Sequence, residues 1–192
     1  MDNKNNSIIK NKSTSLKNCN GKNNKDDGMM RGRGFKFGDD ISTDLIAPGR
    51  YFHLRSNLPE LAKHVLEDAD PGFASKVKPG DIVVGGRNFG LGSSREHAPT
   101  IMKIAGVGAV LAKSFARIFY RNSINIGLPV LICDTGKIEE GDILEIDLRK
   151  GVVRNLTKNL EISFNPLPEV MIKILSDGGL VDHITKNKGF NL

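Results

Sequence analysis

Tryptophan is absent from these 192 residues, and tyrosine and cysteine occur twice each. Two cysteines, Cys19 and Cys133, make no disulfide framework. Such sparse use suits a reducing compartment, so a cytoplasmic protein is expected. No apolar run is long enough for a membrane span or the core of a signal peptide, which argues against membrane or secretory roles. The shortage of aromatics also bears on nucleic acid. A net charge of +6 invites that reading, but residues 1–30 hold six Lys and three Asp, which accounts for +3 and leaves only +3 for the remainder. A basic face interleaved with aromatic rings is not evident, so neither RNA nor DNA is the expected partner.

Residues 1–30 are also poor in large apolar side chains and contain eight Asn. That composition cannot bury enough surface to offset ordering entropy, so disorder is expected there. The stretch lacks arginine, unlike an organelle transit peptide. Met29-Met30 directly precedes the first patterned segment, and translation is expected to begin there. The intact mass of the natively expressed protein checks this; a full-length mass overturns it. Residues 31–192 are long enough for one domain with a real core.

Within that domain, residues 32–38 alternate apolar and polar, with Phe35 and Phe37 on one face, and predict a strand. Residues 58–68 carry Leu58, Leu61 and Val65 at helical spacing, which also places His64 on a helix. Asp81-Ile82-Val83-Val84 and Gly108-Ala109-Val110-Leu111-Ala112 predict short buried strands. Ser114 is placed to cap a helix reaching about Ile124, closed by Gly127 and Pro129. Strands and helices alternating in this way imply parallel strands with crossovers. From Gly141 the pattern changes to an antiparallel meander. A last helix is expected over residues 168–177, burying Val170, Ile174 and Leu175, with Gly178-Gly179 as its stop. Cys133, after an apolar run, reads as a core residue.

The densest set of special residues is Gly85-Gly86-Arg87-Asn88-Phe89-Gly90-Leu91-Gly92-Ser93-Ser94-Arg95-Glu96-His97-Ala98-Pro99. It lies where a strand turns into a helix, and free N–H groups at a helix start favour anions. Ser93 and Glu96 match a capping box, a purely structural reading. Capping requires neither Arg95 nor His97, and Pro99 fits poorly in a helix begun at Ser93. The helix is therefore either kinked at Pro99 or begins near it. Both options leave residues 93–95 partly irregular. Neither a Walker loop nor the dinucleotide fingerprint matches, since Gly92 is followed by Ser93-Ser94-Arg95. A small carboxylate suits Arg95 better, because a guanidinium grips it through two parallel hydrogen bonds.

The run Asn88-Phe89-Gly90-Leu91-Gly92-Ser93-Ser94-Arg95-Glu96-His97-Ala98 resembles the signature of the aconitase superfamily's swivelling domain. Gly38-Asp39-Asp40-Ile41-Ser42-Thr43-Asp44-Leu45-Ile46-Ala47-Pro48-Gly49-Arg50-Tyr51 and Ser114-Phe115-Ala116-Arg117-Ile118-Phe119-Tyr120-Arg121-Asn122 agree with it. The resemblance covers roughly residues 32–186. It implies an α/β fold of the swivelling β/β/α kind: a mixed sheet with flanking helices and a C-terminal antiparallel meander. Where that domain is a separate chain, it is the small subunit of 3-isopropylmalate dehydratase or a close relative. The implied activity is that of a hydro-lyase: dehydration and rehydration of a small hydroxy-dicarboxylate, within leucine biosynthesis for the isopropylmalate enzyme. Homocitrate and dimethylmalate enzymes are the alternatives within this chemistry. An RNA-binding, non-catalytic aconitase relative is the alternative outside it, and the intact Ser93-Ser94-Arg95 argues against that.

The resemblance also implies roles. Ser93 would be the base, Ser94 a hydrogen-bond donor to substrate, and Arg95 the grip on a carboxylate. Thr43 and Asp44 lie on a loop facing the site; Thr43 would bind substrate, and His97 and Asp44 would orient the loop. Arg55, with Arg50 behind it, would contact the far carboxylate or shape the pocket for the substrate's side group; both are also readable as solvated loop arginines. Arg117, Arg121 and Asn122 read as a solvated helix face, or as a brace for the Ser93 loop or a partner contact. The family's [4Fe–4S] cluster needs three or four thiolates. Two cysteines cannot supply them, so no metal is expected in this chain and the cluster is expected on a partner large subunit, in a heterodimer or heterotetramer.

Overall fold

The computed structural model describes residues 28–189. The tail expected over residues 1–30 lies outside them as far as residue 27, as does Cys19. In chain order the elements are β1 (Met29–Lys36), α1 (Thr43–Ile46), a 3₁₀ segment (Gly49–Ser56), α2 (Leu58–Ala62), α3 (Phe73–Lys76), β2 (Ile82–Val84), α4 (His97–Ala105), β3 (Ala109–Ala112), α5 (Arg117–Asn125) and β4 (Val130–Ile132). After a 3₁₀ turn (Thr135–Lys137) come β5 (Ile143–Asp147), β6 (Val152–Asn155), β7 (Leu160–Ser163), α6 (Glu169–Ser176) and α7 (Leu180–Asn187).

Every residue of β2 and β3 is apolar and buried. A strand covered on both faces has no reason to alternate, which is the habit of parallel strands. The strands form one sheet in the order β4-β3-β2-β1-β5-β6-β7. β1 to β4 are parallel, with α4 crossing from β2 to β3 and α5 from β3 to β4. β1 makes the sheet mixed: Gly34 to Lys36 pair in parallel with β2, while Met29 to Arg33 pair antiparallel with β5. At Gly32 the chains crowd so closely that a Cβ would meet the Gly80 carbonyl oxygen at 2.1 Å. An antiparallel bridge between Cys133 and Phe164, just past β4 and β7, brings the two outer strands together and curls the sheet. Both residues are buried, so Cys133 is a core side chain.

The expected alternation of Phe35 and Phe37 holds. Both are buried, and Phe73 of α3 meets them edge-on at 5.1 and 5.7 Å between ring centres. The meander from Gly141 is β5-β6-β7.

Several local expectations are corrected. β1 starts at Met29, inside the expected tail boundary, because Met29 and Met30 pair with Asp147 and Ile146, residues more than a hundred positions away. The helix expected over residues 58–68 stops at Ala62, and His64 lies in a turn. The chain turns there because buried Leu66 takes φ 55° and donates its N–H to Ile46 O. Ser114 caps nothing: its Oγ accepts the Asn88 N–H at 2.8 Å, and α5 begins at Arg117 after an Ala116 cap. In α6 the buried face is Ile172 and Leu175, with Val170 and Ile174 only half-buried. The stop at Gly178-Gly179 holds, but a further helix, α7, follows it.

Phe73 is wholly buried between the strand face and the core. Phe73→Ala is expected to lower the unfolding free energy by about 3–5 kcal/mol. Urea unfolding checks it; a loss under about 1 kcal/mol would show that this aromatic cluster does not carry the core.

Candidate active site

The carboxyl ends of β1, β2 and β3 open into three loops: residues 37–42, 85–96 and 113–116. Backbone bonds zip them together. Gly90 N–H donates to Ile41 O at 2.7 Å and Thr43 N–H to Leu91 O at 2.8 Å, within a parallel bridge between Ser42 and Leu91. On the other side Phe89 N–H donates to Ser114 O and Ala116 N–H to Phe89 O, both at 3.0 Å. The Phe89 ring is fully buried against Phe115 and Phe119. Asp39 accepts the Arg87 N–H at 2.7 Å, and Asp40 accepts the Asn88 side-chain amide at 2.9 Å. In open α/β sheets this carboxyl edge is where ligands bind.

Two glycines in the central loop are obligatory for different reasons. Gly90 combines φ 78° with close packing, since a Cβ would fall 2.2 Å from Phe119. Gly86 has no room either, because a Cβ would fall 1.9 Å from an Asp39 carboxylate oxygen. Their service is to let the loops close on each other rather than to let a ligand approach.

The capping box does not form. α4 begins at His97, its cap residue is Glu96, and no side chain caps it. Pro99 therefore stands in the first turn, where its missing N–H costs nothing. Ala98 N–H is spent on Arg95 O at 3.1 Å, so the first turn offers a ligand at most the His97 N–H. The helix start is a poorer anion cradle than the sequence suggests. Residues 93–95 are irregular, and Ser93 and Ser94 are exposed.

α1 faces this segment. Ser42 caps α1 by accepting the Leu45 N–H at 3.1 Å, which turns Thr43 inward and Asp44 outward. Thr43, only 2% exposed, donates to Ser93 O at 3.2 Å and lies 3.5 Å from Ser93 Oγ. Arg95 forms an ion pair with Asp44 and donates to the Ala47 carbonyl at 2.7 Å. Ser93, Arg95, Thr43 and Asp44 thus form one cluster. The Ala47 carbonyl belongs to it as well, and no side-chain pattern announces a carbonyl.

The 3₁₀ segment borders the cluster. A Cβ on Gly49 would lie 3.9 Å from Arg95 Nη2. The half-exposed Phe52 ring stands 6.2 Å from the His97 ring. His97 meets the 3₁₀ segment through that ring contact. Arg55 folds back on Phe52, with its guanidinium 4.5 Å from the ring centre and 3.3 Å from the Phe52 carbonyl oxygen. Arg50 points away, into ion pairs with Glu67 and Asp68 at 2.8 and 2.6 Å. Arg117 and Arg121 lie on the exposed face of α5, whose buried side, Phe119, packs on Gly90.

These residues do not suit an iron–sulfur cluster. Among the described residues no group of three or more His, Cys, Asp and Glu is placed to hold a metal ion. Burial, helped by Asp134, pushes the Cys133 thiol up to about 12, the opposite of what a thiolate ligand needs. Burial, and then the Arg95 charge, lower His97 below the ordinary imidazole value of 6.5. Folding therefore disfavours protonated His97, and its contribution to stability is present above pH 6.5 and lost as pH falls through the lowered value. An NMR titration is expected to place His97 below 6.5 and to move it part way back in Arg95→Ala. No movement in that variant would show that Arg95 does not face the ring.

Comparison with known proteins follows the same residues. Residues 48–134 match the family model of the aconitase C-terminal domain. The small subunit 2 of 3-isopropylmalate dehydratase from Archaeoglobus fulgidus is 68% identical over 158 residues, 82% of this chain and 96% of that one. Small subunit 1 from Thermotoga maritima is 61% identical, covering 84% and 98%. The methanogen homoaconitase small subunit of Methanothermobacter thermautotrophicus is 56% identical, covering 83% and 93%. A crystal structure of 3-isopropylmalate dehydratase from Methanocaldococcus jannaschii superposes with a TM-score of 0.79 at 48% identity, covering 83% of this chain and 95% of that one. On curled mixed sheet, loop signature and extent of identity alike, the chain belongs to the 3-isopropylmalate dehydratase small-subunit family.

Proposed function

We propose that this chain is the base-bearing small subunit of a 3-isopropylmalate dehydratase, a hydro-lyase that interconverts 2-isopropylmalate and 3-isopropylmalate for leucine biosynthesis. The observation that supports it most is the Ser93 cluster: an exposed serine on an irregular loop, against a buried Thr43 hydroxyl and two residues from a held arginine. The reaction removes a proton from the carbon beside a carboxylate and a hydroxide from its neighbour, then adds water back with the positions exchanged. A [4Fe–4S] cluster on a partner large subunit would supply the Lewis acid that takes up the hydroxide.

This chain's own residues deal with the proton and the carboxylate. Ser93 Oγ takes the proton. A serine hydroxyl is a weak acid, so its alkoxide needs donors and positive charge close by. Thr43 Oγ1, 3.5 Å away, is a donor that can swing onto it. Arg95 supplies the charge and, on releasing Asp44, grips a substrate carboxylate through its planar fork. Ser94, exposed and free of partners among the described residues, donates to the substrate's oxygens. The apolar Phe52 ring at the edge of the cluster suits an isopropyl group. A second reading rests on Arg55, whose guanidinium lies on that same ring and would suit a further carboxylate, as in a homocitrate-type acid.

An anaerobic assay with the cluster-bearing chain co-expressed tests both. The unsaturated intermediate's ultraviolet absorbance is followed with isopropylmalate, homocitrate and dimethylmalate in parallel. Preference for isopropylmalate is expected; preference for homocitrate or dimethylmalate would keep the chemistry and overturn the substrate. Ser93→Ala is expected to cut turnover by about a thousandfold or more while the complex still assembles. A near-normal rate in an assembled mutant complex would remove Ser93 from the role of base.

A further inference from the structure

The 3₁₀ segment Gly49–Ser56 carries Phe52 and Arg55, which on the proposed function face the substrate, yet none of its residues is buried. Tyr51 and Leu54 pack, partly buried, against the core. The segment's short-range backbone ties are Tyr51 N–H to Pro48 O at 3.0 Å and Asn57 N–H to Leu54 O at 2.8 Å, which fix its local shape and not its place on the domain.

Beyond that packing, the segment is tied to residues 64–68 by a cluster of polar and aromatic contacts. The Tyr51 ring stacks on the His64 ring, with centres 3.7 Å apart and planes within 18°. The Tyr51 hydroxyl donates to Glu67 Oε1 at 3.2 Å, and the Arg50 guanidinium donates to the same oxygen at 2.8 Å. His64 Nδ1 lies 2.6 Å from the other oxygen of Glu67. Arg50 also pairs with Asp68 and lies 4.8 Å from the Tyr51 ring centre. Glu67 is thus met by three side chains, two of them from the segment itself. His64, followed by Arg50, holds its carboxyl below the usual carboxylate range. The turn that presents His64 and Glu67 is itself anchored, since buried Leu66 between them donates its N–H to Ile46 O at 3.0 Å. An isolated exposed ion pair contributes little, but a shared carboxylate with an aromatic stack restrains several torsions at once.

We propose that Glu67, with Arg50, Tyr51 and His64, is a positioning clamp that holds residues 49–56 against the substrate's side group and thereby sets how tightly the substrate is bound. The clamp touches neither Ser93 nor Arg95. Loosening it lets Phe52 and Arg55 drift from the pocket edge, which weakens substrate binding without removing the base. The inference rests on the reading that Phe52 and Arg55 face the substrate.

The test uses the complete complex with its cluster-bearing partner, comparing wild type, Glu67→Gln and Tyr51→Phe on isopropylmalate and homocitrate. For Glu67→Gln, KM for the preferred acid is expected to rise about tenfold with kcat within about twofold, and the preference between the two acids to narrow. Tyr51→Phe, which deletes one hydroxyl and keeps the ring, is expected to move KM the same way by about twofold to threefold. A merely structural role would reduce the active fraction, lowering kcat at constant KM with the preference unchanged; that result overturns the clamp. If Glu67→Gln fails to assemble, Tyr51→Phe decides alone, an unchanged KM counting against the proposal. A wild-type complex inactive on both acids would instead overturn the functional reading on which the clamp rests.

Discussion

The candidate site depends on one constraint: the loop after β2 is tied by its backbone to the loops after β1 and β3. Residues 89–91 receive and donate hydrogen bonds on both sides, at Ile41 and Thr43 and at Ser114 and Ala116. A loop bonded in this way behaves as a short extension of the sheet, so the residues that follow it start from a fixed point. Phe89 is the apolar half of the same device. Its buried ring contacts Phe115 and Phe119, and the Gly85 and Gly90 backbones can lie against those rings only because they lack a Cβ. Without that anchoring, Ser93 would be a serine on an ordinary surface loop.

The constraint ends at about Gly92, and there the local chemistry takes over. Arg95 is mostly covered, its side chain 20% exposed, while its partner Asp44 is 59% exposed. A carboxylate so open to water forms a weak pair, worth about 0–1 kcal/mol. The Ala47 carbonyl, by contrast, is a fixed neighbour. Arg95 is therefore aimed by the carbonyl and only neutralised by Asp44. A substrate carboxylate that offers two oxygens can replace Asp44 at small cost, and the arginine need not move far to receive it.

The sequence was informative where a pattern was local and silent where it was not. Uninterrupted apolar runs at residues 82–84 and 109–112 marked the parallel strands, and alternation after Gly141 marked the meander. Met29 and Met30 carried no such signal, because their partners are in β5. The helical spacing of Leu58, Leu61 and Val65 gave no sign that Leu66 takes a left-handed turn, which its bond to Ile46 O compensates. At the site, the signature loop drew attention to Ser93, Arg95 and His97, and Thr43 and Asp44 join them as expected from the β1 loop. Arg50 was read beside Arg55 as a candidate substrate contact, because its partners Glu67 and Asp68 lie in a turn that the expected helix hid. The Ser93–Glu96 pattern misled for a definite reason. A capping box requires helical geometry from residue 94 onward, and the Arg95 side chain is drawn sideways to Asp44 and Ala47 instead.

The same geometry explains why this half of the site is insufficient by itself. On the proposed function, stabilising an alkoxide on Ser93 would rely on electrostatic interactions that are strong only where water is excluded. Ser93, Ser94 and Asp44 are exposed in this chain, and the Phe52 ring at the border is half-exposed too. Water at such a surface would screen Arg95 and weaken its hold on the alkoxide. On the proposed function, a covering surface over these loops would exclude that water. The small subunit thus contributes an ordered, open platform. Thr43, Ser93 and Arg95 are held by bonds within this chain, and on the proposed function the low-dielectric environment would come from the partner.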